Sequence, residues 1–188
     1  INTLKFFDQM NGYARSNYYI LKTSNGGFNW DSVFTYNRTY LRNNNEGIGI
    51  SSNYSNFLFR TTNSGIEWIN ITQGYTRSLW DIYFLNESTG IAASDFRSVL
   101  RTTNAGMNWS VIELNSIDPV WSVEIVDFVN EYTGYLGIDG GYIGKTTNSG
   151  LNWITSQTGA YSHIMGLSFP SVDTGYAFTK SGNFLKTI

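Results

Sequence analysis

Residues 146–153 read Thr146-Thr147-Asn148-Ser149-Gly150-Leu151-Asn152-Trp153, and the same frame, T-x-N-x-G-x-x-W, stands at Thr23–Trp30, Thr61–Trp68 and Thr102–Trp109. A basic residue precedes each copy (Lys22, Arg60, Arg101 and Lys145), and the four Trp residues follow one another at intervals of 38, 41 and 44. A second frame runs between the copies, an apolar residue six positions before a Gly: Phe6/Gly12, Leu41/Gly47, Phe84/Gly90, Phe128/Gly134 and Phe169/Gly175. Self-similarity at a fixed period is the signature of a repeat architecture, in which each unit buries its apolar surface against its neighbours.

Each unit reads as four short strands, A to D, parted by clusters of Asn, Ser, Thr and Gly. In the third unit they fall at about Leu79–Phe84, Gly90–Ser94, Ser98–Thr103 and Met107–Glu113. Alternation within them is imperfect, as expected of strands covered on both faces by neighbouring sheets. Four antiparallel strands per repeat of roughly 40 residues point to the blades of a β-propeller, because radial repetition leaves only short, protected sheet edges. The expected fold is therefore all-β, a single β-propeller over residues 1–188 with about five blades, at 1–35, 36–73, 74–114, 115–158 and 159–188. The last blade is expected to be incomplete, since the chain reaches Ile188 where a fifth T-x-N-x-G-x-x-W would begin.

Composition agrees with strands and turns. Charged residues make up 14% and aromatic residues 16% of the chain, and Gly is abundant. The net charge of -2, with no basic run, gives no electrostatic footprint for nucleic acid. No apolar run reaches the roughly 18 residues of a membrane span, so direct membrane insertion is not expected. With no Cys and a single His, His163, the sequence offers neither a disulfide nor a thiolate or multi-His metal set. No cofactor and no metal are expected.

The recurrent turn has a mechanical reading that needs no ligand. Asn25, Asn63, Asn104 and Asn148 can bond backbone N–H groups, Gly27, Gly65, Gly106 and Gly150 supply positive φ, and Trp30, Trp68, Trp109 and Trp153 pack back between sheets. One Asn and no carboxylate per loop is too little charge for calcium.

These four segments resemble Asp-boxes, the S/T-x-D/N-x-G-x-x-W turns of BNR repeats in sialidases and sortilin-type receptors. The fuller unit, F-x5-G followed by K/R-T-T-N-x-G-x-x-W, is similar to the photosystem II assembly and stability factor family and its secreted bacterial relatives, and the resemblance covers nearly the whole chain. It departs from the type motif in having Asn in every box. The resemblance implies a propeller of about seven blades, of which this chain would be a fragment. It also implies an extracellular, periplasmic or cell-surface location and non-enzymatic protein–protein work such as assembly of a membrane complex.

In a four-stranded meander the D–A and B–C loops share one end of each sheet, and the boxes lie at the other. Ligands of propellers gather where loops converge on the central channel. The residues expected to bind a protein or glycan partner are therefore Arg77, Trp80, Asp81, Arg97, Trp121, Glu124, Tyr161 and His163. A sialidase set of three arginines with a Tyr nucleophile has no match. A second reading is a carbohydrate-active propeller, either a glycan-binding module or a xyloglucanase-type glycoside hydrolase with Asp81 and Glu124, near equivalent points of consecutive strands A, as its paired carboxylates. Against it, both carboxylates have structural work available to them, satisfying backbone and Arg groups, and no catalytic residue is assigned.

Overall fold

The computed structural model describes residues 3–15, 19–34, 38–41, 43, 45–50, 57–72, 77–114 and 122–187. Two compact units divide the chain at 76/77. The first holds two four-stranded sheets: β1 (Thr3–Phe6), β2 (Gly12–Arg15), β3 (Ile20–Thr23) and β4 (Asp31–Phe34), then β5 (Arg38–Leu41), β6 (Gly47–Ile50), β7 (Leu58–Thr61) and β8 (Ile69–Asn70). The second holds sheet 3, with β9 (Leu79–Phe84), β10 (Gly90–Ser94), β11 (Ser98–Thr102) and β12 (Ser110–Glu113), and sheet 4, with β13 (Val123–Phe128), β14 (Gly134–Ile138), β15 (Tyr142–Thr146) and β16 (Ile154–Gln157). Sheet 5 has three strands, β17 (Ile164–Ser168), β18 (Gly175–Thr179) and β19 (Phe184–Thr187). Each sheet is an antiparallel meander in chain order.

In sheets 3 and 4 burial falls from the middle strands to the fourth. All five residues of β10 and of β14 are buried, whereas β12 and β16 are exposed or half-buried throughout. The weak alternation of Gly90–Ser94 follows directly, because β10 is covered on both faces. Between sheets 3 and 4 the core is continuous: Ile91, Val99 and Leu114 of sheet 3 meet Val126, Phe128, Leu136 and Ile138 of sheet 4, with Trp153 packed against them.

The recurrent turn is a closed hydrogen-bond network, the same in all four copies. In the third, the Thr102 hydroxyl donates to Asn104 Oδ1 (3.0 Å) and accepts the N–H groups of Asn104 (3.3 Å) and Gly106 (3.0 Å). Asn104 Oδ1 then accepts Asn108 N–H at 2.9 Å, and the Trp109 indole N–H donates to the Gly106 carbonyl at 3.0 Å. Two consecutive residues are left-handed, Ala105 (φ 57°) and Gly106 (φ 82°), which is why the frame calls for Gly at its fifth position. Strand D of this unit starts at Ser110 rather than at Met107, because Met107–Trp109 are used up in the turn.

The second frame has an equally local cause. The strand A Phe ring lies flat over the Gly that opens strand B, and a Cβ on Gly12, Gly90, Gly134 or Gly175 would come within 3.0 Å or less of that ring. In sheets 1, 3 and 4 the Trp then meets this Phe edge-on, with centroid separations of 6.0, 6.1 and 6.0 Å for Phe6–Trp30, Phe84–Trp109 and Phe128–Trp153. The A–B hairpins are closed by a polar side chain at a fixed place. Asp8, Asn43, Asn86 and Asn130 each accept two backbone N–H groups, and the turn after each box Asn bonds to the same hairpin, as in Ser149 N–H to Tyr132 O at 2.9 Å. The run Asn43-Asn44-Asn45 thus includes the Asn that closes its hairpin, with Asn44 itself outside the described residues.

Trp109 is 5% exposed, so Trp109→Ala should cost about 3–5 kcal/mol, the usual loss for truncating a buried Trp. Gly106→Ala, at φ 82°, should cost about 1–2 kcal/mol from left-handed strain. Equilibrium denaturant melts measure both. A loss well under ~1 kcal/mol for Trp109→Ala contradicts its packing role. Asp127, on β13, accepts the N–H groups of Phe128 and Phe169, but burial outweighs these bonds and holds its carboxyl above the usual carboxylate range. A folded-state value raised above the unfolded one means that the proton is held more tightly in the native state. The corresponding stability is present below the ordinary carboxylate range and is lost as pH rises through the raised value. Asp127→Asn, which keeps an acceptor oxygen and removes the charge, should therefore match the parent in acid and exceed its melting temperature at neutral pH. Thermal melts across pH 3–8 read the difference.

Candidate functional site

The end of sheets 3 to 5 opposite the T-x-N-x-G-x-x-W turns is built on one repeated backbone bond. The residue that opens each B–C turn donates its N–H to the carbonyl just before strand A: Asp95 to Ser78 (3.0 Å), Asp139 to Ser122 (3.0 Å) and Lys180 to His163 (2.9 Å). One residue into strand A the register slips. Leu79 pairs with Ser94 and Asp81 with Ala93, so Trp80 is an extra residue, and Glu124 and Met165 occupy the same extra position in β13 and β17. Bulges of this kind re-aim a side chain at the end of a sheet.

Asp81 and Glu124 stand near equivalent points of their strands but one position apart: Glu124 is level with Trp80, and Asp81 with Ile125. A shift of one residue turns the side chain toward the other face, and the two carboxylates serve different neighbours. Asp81 Oδ2 accepts Val126 N–H at 3.2 Å, tying β9 to β13. Glu124, whose side chain is about 10% exposed, accepts the Ser122 hydroxyl at 2.6 Å and lies 3.2 Å from His163 Nδ1. The other ring nitrogen of His163, Nε2, lies 3.2 Å from Asp139 Oδ1. His163 thus stands between a carboxylate of β13 and one of the B–C turn of sheet 4.

The remaining polar groups are also engaged. Arg77 Nη2 pairs with Glu113 Oε1 at 2.9 Å, Arg77 Nη1 donates to Ser98 Oγ at 2.7 Å, and its guanidinium lies 5.9 Å from the Phe96 ring. The Trp80 indole N–H donates to Asp95 Oδ1 at 2.5 Å while more than a third of the residue stays exposed. What the surface presents to solvent is aromatic: Trp80, Phe96 and Tyr161, with Tyr161 83% exposed. Trp121 lies outside the described residues.

Positive φ at non-glycine residues occurs at both ends of the sheets. Among the described residues six non-glycine positions have positive φ, and three of them, Ser64, Ala105 and Ser149, belong to the recurrent turns. The other three are Phe96 (φ 57°), Arg97 (φ 54°) and Tyr161 (φ 46°), all exposed and all at this end. Phe96 and Arg97 are the last two residues of the three-residue connection Asp95–Arg97 between β10 and β11, in a region of φ that favours Gly and Asn. Sheet 4 has Gly140 and Gly141 at the matching places, after Asp139 as Phe96 and Arg97 follow Asp95. Sequence reasoning pointed to the loops Ser94–Arg97 and Asp139–Tyr142 and singled out Arg97 in them, but not Phe96 or Asp139. The signal for Phe96 was available in the alignment of Asp95-Phe-Arg with Asp139-Gly-Gly, where one repeat keeps side chains that the turn disfavours.

Among the described residues no group of three or more His, Cys, Asp or Glu side chains converges as a metal site, and no helix is long and apolar enough to cross a membrane.

No family model matches the sequence, and no curated protein does. Solved structures do match. YCF48 from Cyanidioschyzon merolae superimposes with a TM-score of 0.74 at 13% identity, over 98% of this chain and 66% of that one. The GH74 xyloglucanase from Xanthomonas campestris superimposes with a TM-score of 0.69 at 11% identity, over 95% of this chain and 35% of the enzyme. The computationally designed Ika8 protein gives 0.69 at 10% identity, over 98% and 57%. The likeness is one of fold: the chain is an all-β protein of the β-propeller class, and it spans just under two thirds of the YCF48 chain and about a third of the xyloglucanase.

Replacing Phe96-Arg97 by Gly-Gly, the pair that sheet 4 uses, should leave stability unchanged or raise it by up to about 2 kcal/mol. Relief of left-handed strain, roughly 1–2 kcal/mol per residue, is set against the larger backbone entropy that Gly loses on folding. Denaturant melts of the double variant test this, and a loss above ~1 kcal/mol would make Phe96 a packing residue rather than a displayed one.

Proposed function

We propose that the chain is a non-enzymatic binding propeller of an exported or cell-surface protein, and that it recognises a protein segment with the end of sheets 3 to 5 that carries the D–A connections and B–C turns. The observation that carries this reading is the trio of exposed side chains, Phe96, Arg97 and Tyr161, held at positive φ. Strain of this kind gathers at functional sites. Aromatic and Arg side chains are also the groups that dominate binding hot spots. The motif resemblance to assembly factors points the same way, toward protein–protein work.

A glycan is the second reading, favoured by one feature: exposed Tyr161 and half-exposed Trp80 present ring faces of the kind that stack on pyranoses. Hydrolysis has less support. Paired carboxylates must flank the scissile bond from either side, whereas Asp81 is committed to a backbone N–H and Glu124 is largely buried against Ser122 and His163.

Peptide and glycan arrays identify the ligand class, and titration with single variants then tests the surface. Alanine at Trp80, Phe96, Trp121, Tyr161 or Arg77 should each weaken binding by more than about 1 kcal/mol. Alanine at Met107 or Leu151, which are exposed at the opposite end, should leave it unchanged. The reverse pattern would assign recognition to the T-x-N-x-G-x-x-W face.

A further inference from the structure

The sixth position of the T-x-N-x-G-x-x-W frame enters the turn through its backbone, yet it holds a large apolar side chain in every copy: Phe28, Ile66, Met107 and Leu151. In the second to fourth copies its N–H donates to the carbonyl of the box Asn (Ile66 to Asn63, 3.2 Å; Met107 to Asn104, 3.2 Å; Leu151 to Asn148, 3.3 Å). A bond made by the main chain is open to any residue but Pro. All four side chains are exposed, and the seventh position beside them, also exposed, is polar throughout, as Asn29, Glu67, Asn108 and Asn152. Identity changes from copy to copy while apolar character is kept, so closure of the turn does not account for these residues.

Sheets 3 and 4 show what stands beside these side chains. In each, the turn is bonded to the A–B hairpin: Ala105 N–H donates to the Ser88 carbonyl (2.8 Å), Ser149 N–H to the Tyr132 carbonyl (2.9 Å), and the Ser149 hydroxyl to the Glu131 carbonyl (2.7 Å). That hairpin carries a carboxylate three residues after the strand A Phe, Glu87 in one sheet and Glu131 in the other, both exposed. Arg101 Nε donates to the Ser149 carbonyl at 2.9 Å, which seats the turn of sheet 4 against sheet 3. The end of the two sheets therefore repeats a pair, one carboxylate and one apolar group, from sheet to sheet. Its hairpins and turns, residues 85–89, 103–109, 129–133 and 147–153, contain no Lys, Arg or His. Met107 has a complete sheet after it and is still 52% exposed, against 51% for Leu151, so the exposure belongs to the place in the frame and not to an absent neighbour.

We propose that this end of sheets 3 and 4 is a docking surface for a polypeptide segment in which Lys or Arg alternates with large apolar side chains, supplied by a partner protein. The apolar side chains of the segment cover Met107 and Leu151, and its cations face Glu87 and Glu131. Charge complementarity selects this occupant: apolar groups set among carboxylates alone attract a basic amphipathic chain and repel an acidic one, an anionic lipid surface and the same face of a second copy. Apolar contact supplies the affinity, and the exposed carboxylates supply mainly the choice of partner, since ion pairs open to solvent contribute little. The surface lies at the other end of the sheets from the recognition surface proposed above and stands without it.

The test titrates the 188-residue chain with three synthetic peptides, one of alternating Lys and Leu, one of alternating Glu and Leu, and one of alternating Lys and Ser. Only the Lys-Leu peptide should bind with saturation. Met107→Ser and Leu151→Ser in one chain should weaken it at least about fivefold, the scale of a lost hot-spot side chain. Glu87→Gln with Glu131→Gln should weaken it at low salt and match the parent at ~0.5 M salt, where solvent-exposed charges are screened. All four side chains are exposed, and thermal melts check that the variants stay folded. Tyr161→Ser, at the other end, should leave this binding unchanged, so the two surfaces are tested apart. No binding, equal binding of the Lys-Leu and Glu-Leu peptides, or binding that survives the Met107 and Leu151 changes would overturn the proposal. So would a dimer by sedimentation that Met107→Ser with Leu151→Ser dissociates, which gives the surface to a second copy, or binding to phosphatidylcholine vesicles lost in the same variant, which gives it to a membrane.

Discussion

The indole of the T-x-N-x-G-x-x-W turn links the local and the non-local parts of this structure. Its N–H closes the turn on the Gly carbonyl, so the ring cannot swing away without leaving a donor unpaired. Its carbon edge meets the strand A Phe, which in turn lies over the Gly that begins strand B. Turn, strand A and strand B are thereby held in one relation in each of sheets 1, 3 and 4, and in sheet 4 the same turn also seats on Ile91 and Arg101 of the preceding sheet. The two repeat frames, whose Phe and Trp stand 24 or 25 residues apart in the sequence, are the two halves of one contact.

The opposite end of the sheets is organised by different rules. At the turn end sheets 1 to 4 use the same residues, because one hydrogen-bond network solves the same problem each time. At the far end only the backbone bond between the B–C turn and strand A recurs, and the side chains around it differ from sheet to sheet: Trp80 with Asp95, Glu124 and Asp139 with His163, and Met165 exposed on β17. Constant backbone with variable side chains is the usual division between a scaffold and the surface it displays. Phe96, Arg97 and Tyr161 at this end have positive φ without being part of a recurrent turn.

Electrostatics tells the carboxylates apart in a way that composition does not. Asp81 serves a backbone donor across a sheet boundary, Glu124 and Asp139 flank one imidazole, Asp95 receives an indole N–H, and Asp127 is held above the usual carboxylate range by burial. These side chains are chemically alike in the sequence. Their neighbours come from other strands, 15 to 45 residues away, and it is those neighbours that separate their roles.

Repetition made most of the fold legible in advance. The all-β class, the four-strand unit and the left-handed Gly of the turn follow from residues that recur at fixed spacing, because hairpins and Asx turns are closed by groups only two to four residues apart; that Phe6, Phe84 and Phe128 pack over Gly and against Trp came from the structure. Bounds inside the turn were less legible, since Met107–Trp109 carry strand-like residues that the Asn104 network uses first. Of the candidate surface, the sequence determined which loops share an end and that Arg77, Tyr161 and His163 lie on them, with Trp80 at the start of the adjoining strand. Only the tertiary structure decided that a one-residue bulge sets Glu124 level with Trp80 and not with Asp81, that His163 bridges two carboxylates, and that Phe96 stands out in strain. The physical reason is range: turn chemistry is written within a few neighbouring residues, whereas register, bulges and the pairing of buried charges are set by strands that meet only when the sheets pack.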